Sequence, residues 1–110
     1  MATPSTSMSI GNTQLPQSNG DNYEYWVITM KALFASQDLW EFVEDSSDEP
    51  VDEQAFNALT QAEKDLLKRN RKKDSKALFY LYQAAHESVF PRIAAAKRSK
   101  DAWDTLKIAY

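Results

Sequence analysis

The chain contains no cysteine among its 110 residues. That excludes disulfides, thiolate metal sites and a cysteine nucleophile, and it suits a reducing compartment. Glycine occurs twice and proline four times, too few turn-formers for an all-β domain or a glycine-rich phosphate loop. No apolar run approaches the roughly 18 residues that span a bilayer. The opening MATPSTSMSIGNTQ lacks the basic-then-apolar pattern of a secretory signal. Ala2 stands where myristoylation needs glycine. The net charge of −3 gives no global attraction to nucleic acid or to an anionic membrane, so any such attraction must come from a local patch. A cytoplasmic protein with no membrane partner is expected. The K/R-rich stretch described below is a candidate nuclear-import signal.

Apolar residues make up 43% of the chain and aromatics 12%, enough for one modest core in one domain. Residues 1–19 are rich in Ser, Thr, Asn and Gln and read as a flexible, disordered N-terminal arm. A helix is predicted over 22–36, with Asp21 or Asn22 as N-cap. Tyr23, Trp26, Val27, Met30, Leu33 and Phe34 fall on one stripe of about 3.6-residue period. Tyr25 and Lys31 fall off it, and Tyr25 is the aromatic expected to be exposed. A short helix fits 38–44, capped by Asp38 with Glu41 closing a capping box. The acidic stretch DSSDEPVDE, residues 45–53, reads as a solvated loop, followed by a helical turn near 53–59. Thr60 and Glu63 form a T-x-x-E box opening a long helix to about Glu87. Phe90-Pro91 then turns the chain, and Ser99 is expected to cap a last helix holding Ala102, Trp103, Leu106 and Tyr110. No strand-like alternation stands out. The expected fold is all-α, a small bundle of four to five helices over 20–110. Its core is built on Trp26, Trp40, Leu78, Leu81 and Trp103.

The aromatic cluster in NYEYWVITMKALF reads as core. A base-stacking platform presents exposed rings beside positive charge, and here Asp21 and Glu24 flank the rings. Lys68, Arg69, Arg71, Lys72, Lys73 and Lys76 form the one patch able to meet nucleic acid or an acidic partner. Around a helix they spread too widely for all to face one duplex, and Asp65 and Asp74 lie near enough to pair with some of them. The acidic residues Glu44, Asp45, Asp48, Glu49, Asp52 and Glu53 offer an intermolecular counterpart. His86 stands alone and cannot build a metal site. Ser88 and Ser99 have no base-and-orienter arrangement around them. No catalytic, cofactor-binding or metal-binding residue is assigned, and no small-molecule substrate is expected.

Several segments, read in order, carry a pattern. They are NGDNYEYWVITMKALFASQDLWEFVE, then LLKRNRKKDSKALFYLYQAAHESVFPRI, then AAAKRSKDAWDTLKIAY. An N-G-x-N-Y-x-x-W opening leads to an apolar helix ending in L-W. A K-D-x-K-A-L helix, an F-x-x-I turn and an S-K-x-A-W-x-x-L-x-x-x-Y closing helix follow. Over about residues 19–110 this resembles the N-terminal, capsid-region segment of plant copia-type LTR retrotransposon Gag polyproteins. The matching positions are Asn19, Gly20, Asn22, Tyr23, Trp26, Leu39, Trp40, Lys73, Asp74, Lys76, Ala77, Leu78, Phe90, Ile93, Trp103, Leu106 and Tyr110.

The resemblance implies an all-helical, non-catalytic structural module of a transposable element. Such a module self-associates into particles that package the element's RNA. It implies no cofactor and no catalytic residue. The family continues beyond this segment, so a domain truncated at its C-terminus is expected, with apolar surface left open near Trp103, Leu106 and Tyr110 as a self-association site. The alternative is an RNA-binding module using the basic helix 68–76.

Overall fold

The computed structural model describes residues 17, 21–46 and 49–110, together with the backbone of 8–10 and 13–15. The expected arm over 1–19 falls mostly outside the described residues, as do Asn19 and Gly20 of the opening motif. Within the arm, β1 (Met8–Ile10) and β2 (Thr13–Leu15) pair antiparallel, with Met8 opposite Leu15 and Ile10 opposite Thr13. No strand is expected there from the sequence pattern. Five α-helices follow, so the fold class is all-α as expected.

Helix α1 (Tyr23–Ser36) starts after Asn22, whose side chain makes no cap bond. Its amide donates instead to the Gln17 carbonyl at 2.9 Å. The stripe falls as predicted, with Trp26, Met30 and Phe34 buried. The helix ends in a Schellman motif. Leu39 N–H donates to Phe34 O at 2.7 Å and Asp38 N–H to Ala35 O at 3.2 Å, and the apolar pair Leu39 and Phe34 is buried beneath. Asp38 therefore sits at φ 59, the left-handed position that closes this motif. The expected Asp38 cap of the next helix is corrected. Helix α2 (Trp40–Glu44) begins after Leu39 with no side-chain cap, because Asp38 is used up ending α1. A left-handed Asp costs more than a glycine there. Asp38→Gly is expected to stabilise the domain by roughly 1 kcal/mol, read as a higher urea midpoint with unchanged slope.

Helix α3 (Glu53–Asn57) is capped by Asp52, whose carboxylate accepts from Ala55 N–H at 2.8 Å. Helix α4 (Gln61–Ala84) opens with the predicted capping box. Glu63 N–H donates to Thr60 Oγ1 at 3.1 Å, and Thr60 N–H donates to Glu63 Oε1 at 2.8 Å. Those bonds to Thr60 hold the Glu63 carboxyl below its ordinary range. The helix stops at Ala84, three residues before the expected end, because Ala85 is extended at φ −91, ψ 127. Two terminal carbonyls are taken by other parts of the chain. Trp26 Nε1–H donates to Ala84 O at 3.2 Å and Gln17 Nε2–H to Gln83 O at 2.9 Å.

A 3₁₀ turn, Phe90–Arg92, carries the chain onward. Val89 and Ile93 on either side are buried. The Tyr82 hydroxyl donates to Ala96 O at 3.0 Å and straps this loop to α4. Helix α5 (Ser99–Ala109) packs between α2 and α4. Its start differs from expectation. Ser99 is the first helical residue rather than the cap, and it is fully buried. Its hydroxyl donates to Asp74 Oδ1 at 2.6 Å and its N–H to the same oxygen at 3.3 Å. A carboxylate of α4 thus caps α5 where the helix dipole favours negative charge. Asp74 is buried and does not pair with the neighbouring lysines, as its sequence surroundings suggest it could.

Trp103 lies at the centre of the aromatic core. Its ring stacks on Trp26 at 5.6 Å between centroids and meets the edges of Trp40 at 5.4 Å and Phe34 at 6.1 Å. Trp26, Leu81 and Trp103 are buried as expected, whereas Trp40 and Leu78 are only partly buried against that core.

Candidate functional site

The six basic residues named from the sequence all lie on the exposed side of α4, but the fold divides them. Arg71 clamps Glu49 with both ends of its fork, Nη2 to Oε1 at 2.7 Å and Nε to Oε2 at 3.1 Å. Those hydrogen bonds hold the Glu49 carboxyl below its usual range. Lys73 lies over the Phe42 ring at 6.0 Å. Lys76 lies over Tyr80 at 5.8 Å and donates to Gln37 Oε1 at 3.4 Å. Lys68, Arg69 and Lys72 have no carboxylate partner among the described residues. Lys68, Lys72 and the half-exposed Phe79 follow at i, i+4 and i+11, which places them along one side of the helix.

The acidic loop is likewise partly engaged within the chain. Glu49 is held by Arg71 and Asp52 by the start of α3, and Asp48 lies outside the described residues. A groove of about 480 Å³ runs between α3 and α4 over Ala55, Leu59, Leu66 and Leu67. Its two carboxylates, Glu49 and Glu63, accept from Arg71 and from Thr60 N–H. His86 is exposed, and its Nδ1 accepts the Ser88 N–H at 3.1 Å. No cluster of three metal-ligating side chains occurs among the described residues. No described helix is long and apolar enough to cross a membrane.

Of the residues expected to form an open surface, Trp103 and Leu106 are closed off, while Tyr110 and its neighbour Ile108 stand exposed at the end of α5. Trp103 is 5% exposed and Leu106 1%, because α2 and α4 already cover that side of α5. Tyr110 is exposed on one side. Its ring meets Tyr23 at 6.0 Å, and Arg92 lies over it at 5.6 Å. Burial pushes the Tyr23 phenol above its ordinary value.

A further open apolar face lies on α1. Tyr25 is 64% exposed, as expected, and Ile28 70%. Ala32 and Ala35 continue the face outward. Tyr25, Ile28, Ala32 and Ala35 are spaced by three, four and three, a second apolar stripe on the back of the buried one. That spacing is present in the sequence but is masked by the stronger aromatic stripe.

A family model for the gag-polypeptide of LTR copia-type matches residues 30–110. The chain belongs to the copia-type Gag family. The matched span runs from the second half of α1 to the residue that closes α5. The Gag family is a structural, non-enzymatic component of its polyprotein, so this domain has a structural Gag-like role. No curated protein and no solved structure matches the chain. The Gag domain's K-D and S-K motifs, far apart in sequence, meet as the Asp74–Ser99 hydrogen bonds. Its L-W and A-W motifs meet as the Trp40–Trp103 pair.

Proposed function

We propose that this Gag domain acts by self-association, as a building block of a protein assembly. The observation behind the reading is the outer side of α1. Large apolar side chains stand in water there although the core beneath is filled, and a folded domain gains by covering such a face. Nothing about the site calls for a cofactor or a small ligand.

The second reading is RNA binding by α4, favoured by Lys68, Arg69 and Lys72 standing clear of carboxylates beside Phe79. Three cations on a single strand give a log–log salt slope of about −2, since each neutralised phosphate contributes about −0.7. Sedimentation velocity over a concentration series, repeated with a single-stranded RNA oligonucleotide, separates the two. Self-association gives a sedimentation coefficient that rises with protein concentration without RNA. A concentration-independent monomer that shifts only with RNA, and loses the shift in salt, would replace the first reading with the second.

A further inference from the structure

The geometry points to an antiparallel pairing of α1 with α1 of a second copy, with Tyr25 packed on Ile28 of that copy and Glu24 bonded to its Lys31. This rests on the self-association reading and specifies its surface and register.

The charges on the face choose the partner and its direction. Glu24 and Lys31 flank the apolar stripe, each one position before a stripe residue, Tyr25 and Ala32. Seven residues apart, they lie on the same edge of the helix. Glu24 has no partner among the described residues. Lys31 has only the Trp40 ring, 5.4 Å from its ammonium, a contact that leaves its hydrogens free for a carboxylate. When two copies of one helix pair antiparallel about a two-fold axis, each edge meets the same edge of the other copy. With that axis at Val27, Glu24 of each copy comes level with Lys31 of the other to within one residue's rise, about 1.5 Å. The same axis brings Tyr25 of each copy onto Ile28 of the other to within the same distance, so the two large apolar residues of the face cover each other. A parallel pair would instead set this edge against the opposite one. Thr29 and Ser36 lie there, and their hydroxyls are bonded back to Tyr25 O at 3.0 Å and Leu33 O at 2.7 Å. That edge offers no charge to match either Glu24 or Lys31.

The size of the contact sets its strength. Helix α1 has 14 residues and is about 21 Å long. A crossing of two such helices covers a few hundred Å² per copy, below the roughly 800 Å² of a standard stable interface. The pair is therefore weak alone and useful where many copies are held together.

Charge reversal tests it. Glu24→Lys and Lys31→Glu lie on the surface, and far-UV circular dichroism verifies that each variant folds. Each reversal places like charges opposite one another twice in the dimer, so each is expected to weaken association about tenfold at low salt. An equimolar mixture of the two variants is expected to recover it. In the mixed pair the introduced lysine of one variant meets the introduced glutamate of the other, and the retained Lys31 of the first meets the retained Glu24 of the second. The double variant is expected to associate like the unaltered chain. If the unaltered chain associates and both single variants associate equally well, this register is wrong while self-association stands. If the unaltered chain stays monomeric at every concentration, both fall.

Discussion

Trp103→Ala is expected to cost about 4 kcal/mol, the usual range for removing a buried tryptophan being about 3–5 kcal/mol. Trp103 is the ring on which three helices meet, touching Trp26 and Phe34 of α1 and Trp40 of α2 from its place on α5. Removing it takes away the burial of one large ring and leaves a void whose walls belong to different elements, so no single side chain can relax into it. Domains of this size hold about 5–15 kcal/mol in total. The variant should therefore be close to unfolding, with a urea midpoint lower by roughly 2 M. Trp40→Ala should cost much less, because that ring is only partly buried and one of its faces is covered by Lys31. Equal losses for the two would mean that the core is centred elsewhere.

The second large effect is expected at Asp74. Its carboxylate accepts both the hydroxyl and the N–H of Ser99 at the start of α5, in a site closed to water. Asp74→Ala takes the acceptor from two buried donors and removes a negative charge from a helix N-terminus. The loss should be about 2–3 kcal/mol. Asp74→Asn keeps an acceptor oxygen and should lose about half as much. Ser99→Ala should be milder again, and in a double-mutant cycle with Asp74→Ala the two losses should fall short of additive by about 1 kcal/mol. Urea unfolding followed by circular dichroism reads all four. A loss under about 0.5 kcal/mol for Asp74→Ala would place it with ordinary surface changes.

Which features can be read from the sequence depends on whether their partners are near in the chain. The aromatic stripe of α1 is a local pattern, and the Thr60–Glu63 box closes within one turn. Both are legible. Asp38 misleads because one short polar side chain serves either to start a helix or, in the left-handed region, to end one. The buried pair Leu39 and Phe34 decides for the ending. Asp74 looks like a salt-bridge partner because lysines surround it in sequence. Yet Leu67, Asp74 and Leu81 are spaced by seven, which places the aspartate on the buried side of α4 between two core leucines. That spacing is a usable signal, but the acceptor's purpose depends on Ser99, 25 residues away. The two short strands are not legible, because three residues give too short an alternation to detect. An open face at Trp103 and Leu106 follows from the family's longer chain. The packing of α2 and α4 is the nonlocal fact that closes it. Tyr25 is placed outside by its spacing, but Ile28, Ala32 and Ala35 join it as a face only once the buried stripe is known.

In this domain the tryptophans bind the helices together, and under the proposed function the outer side of α1 makes the contact. Proton–nitrogen correlation spectra recorded at increasing protein concentration test that division residue by residue. Shifts that grow with concentration are expected at Glu24, Tyr25, Ile28, Thr29, Lys31 and Ala32, while the indole signals of Trp26 and Trp103 stay fixed. Spectra that do not change with concentration, or shifts centred on residues 68–76 or on the tryptophan indoles, would contradict it.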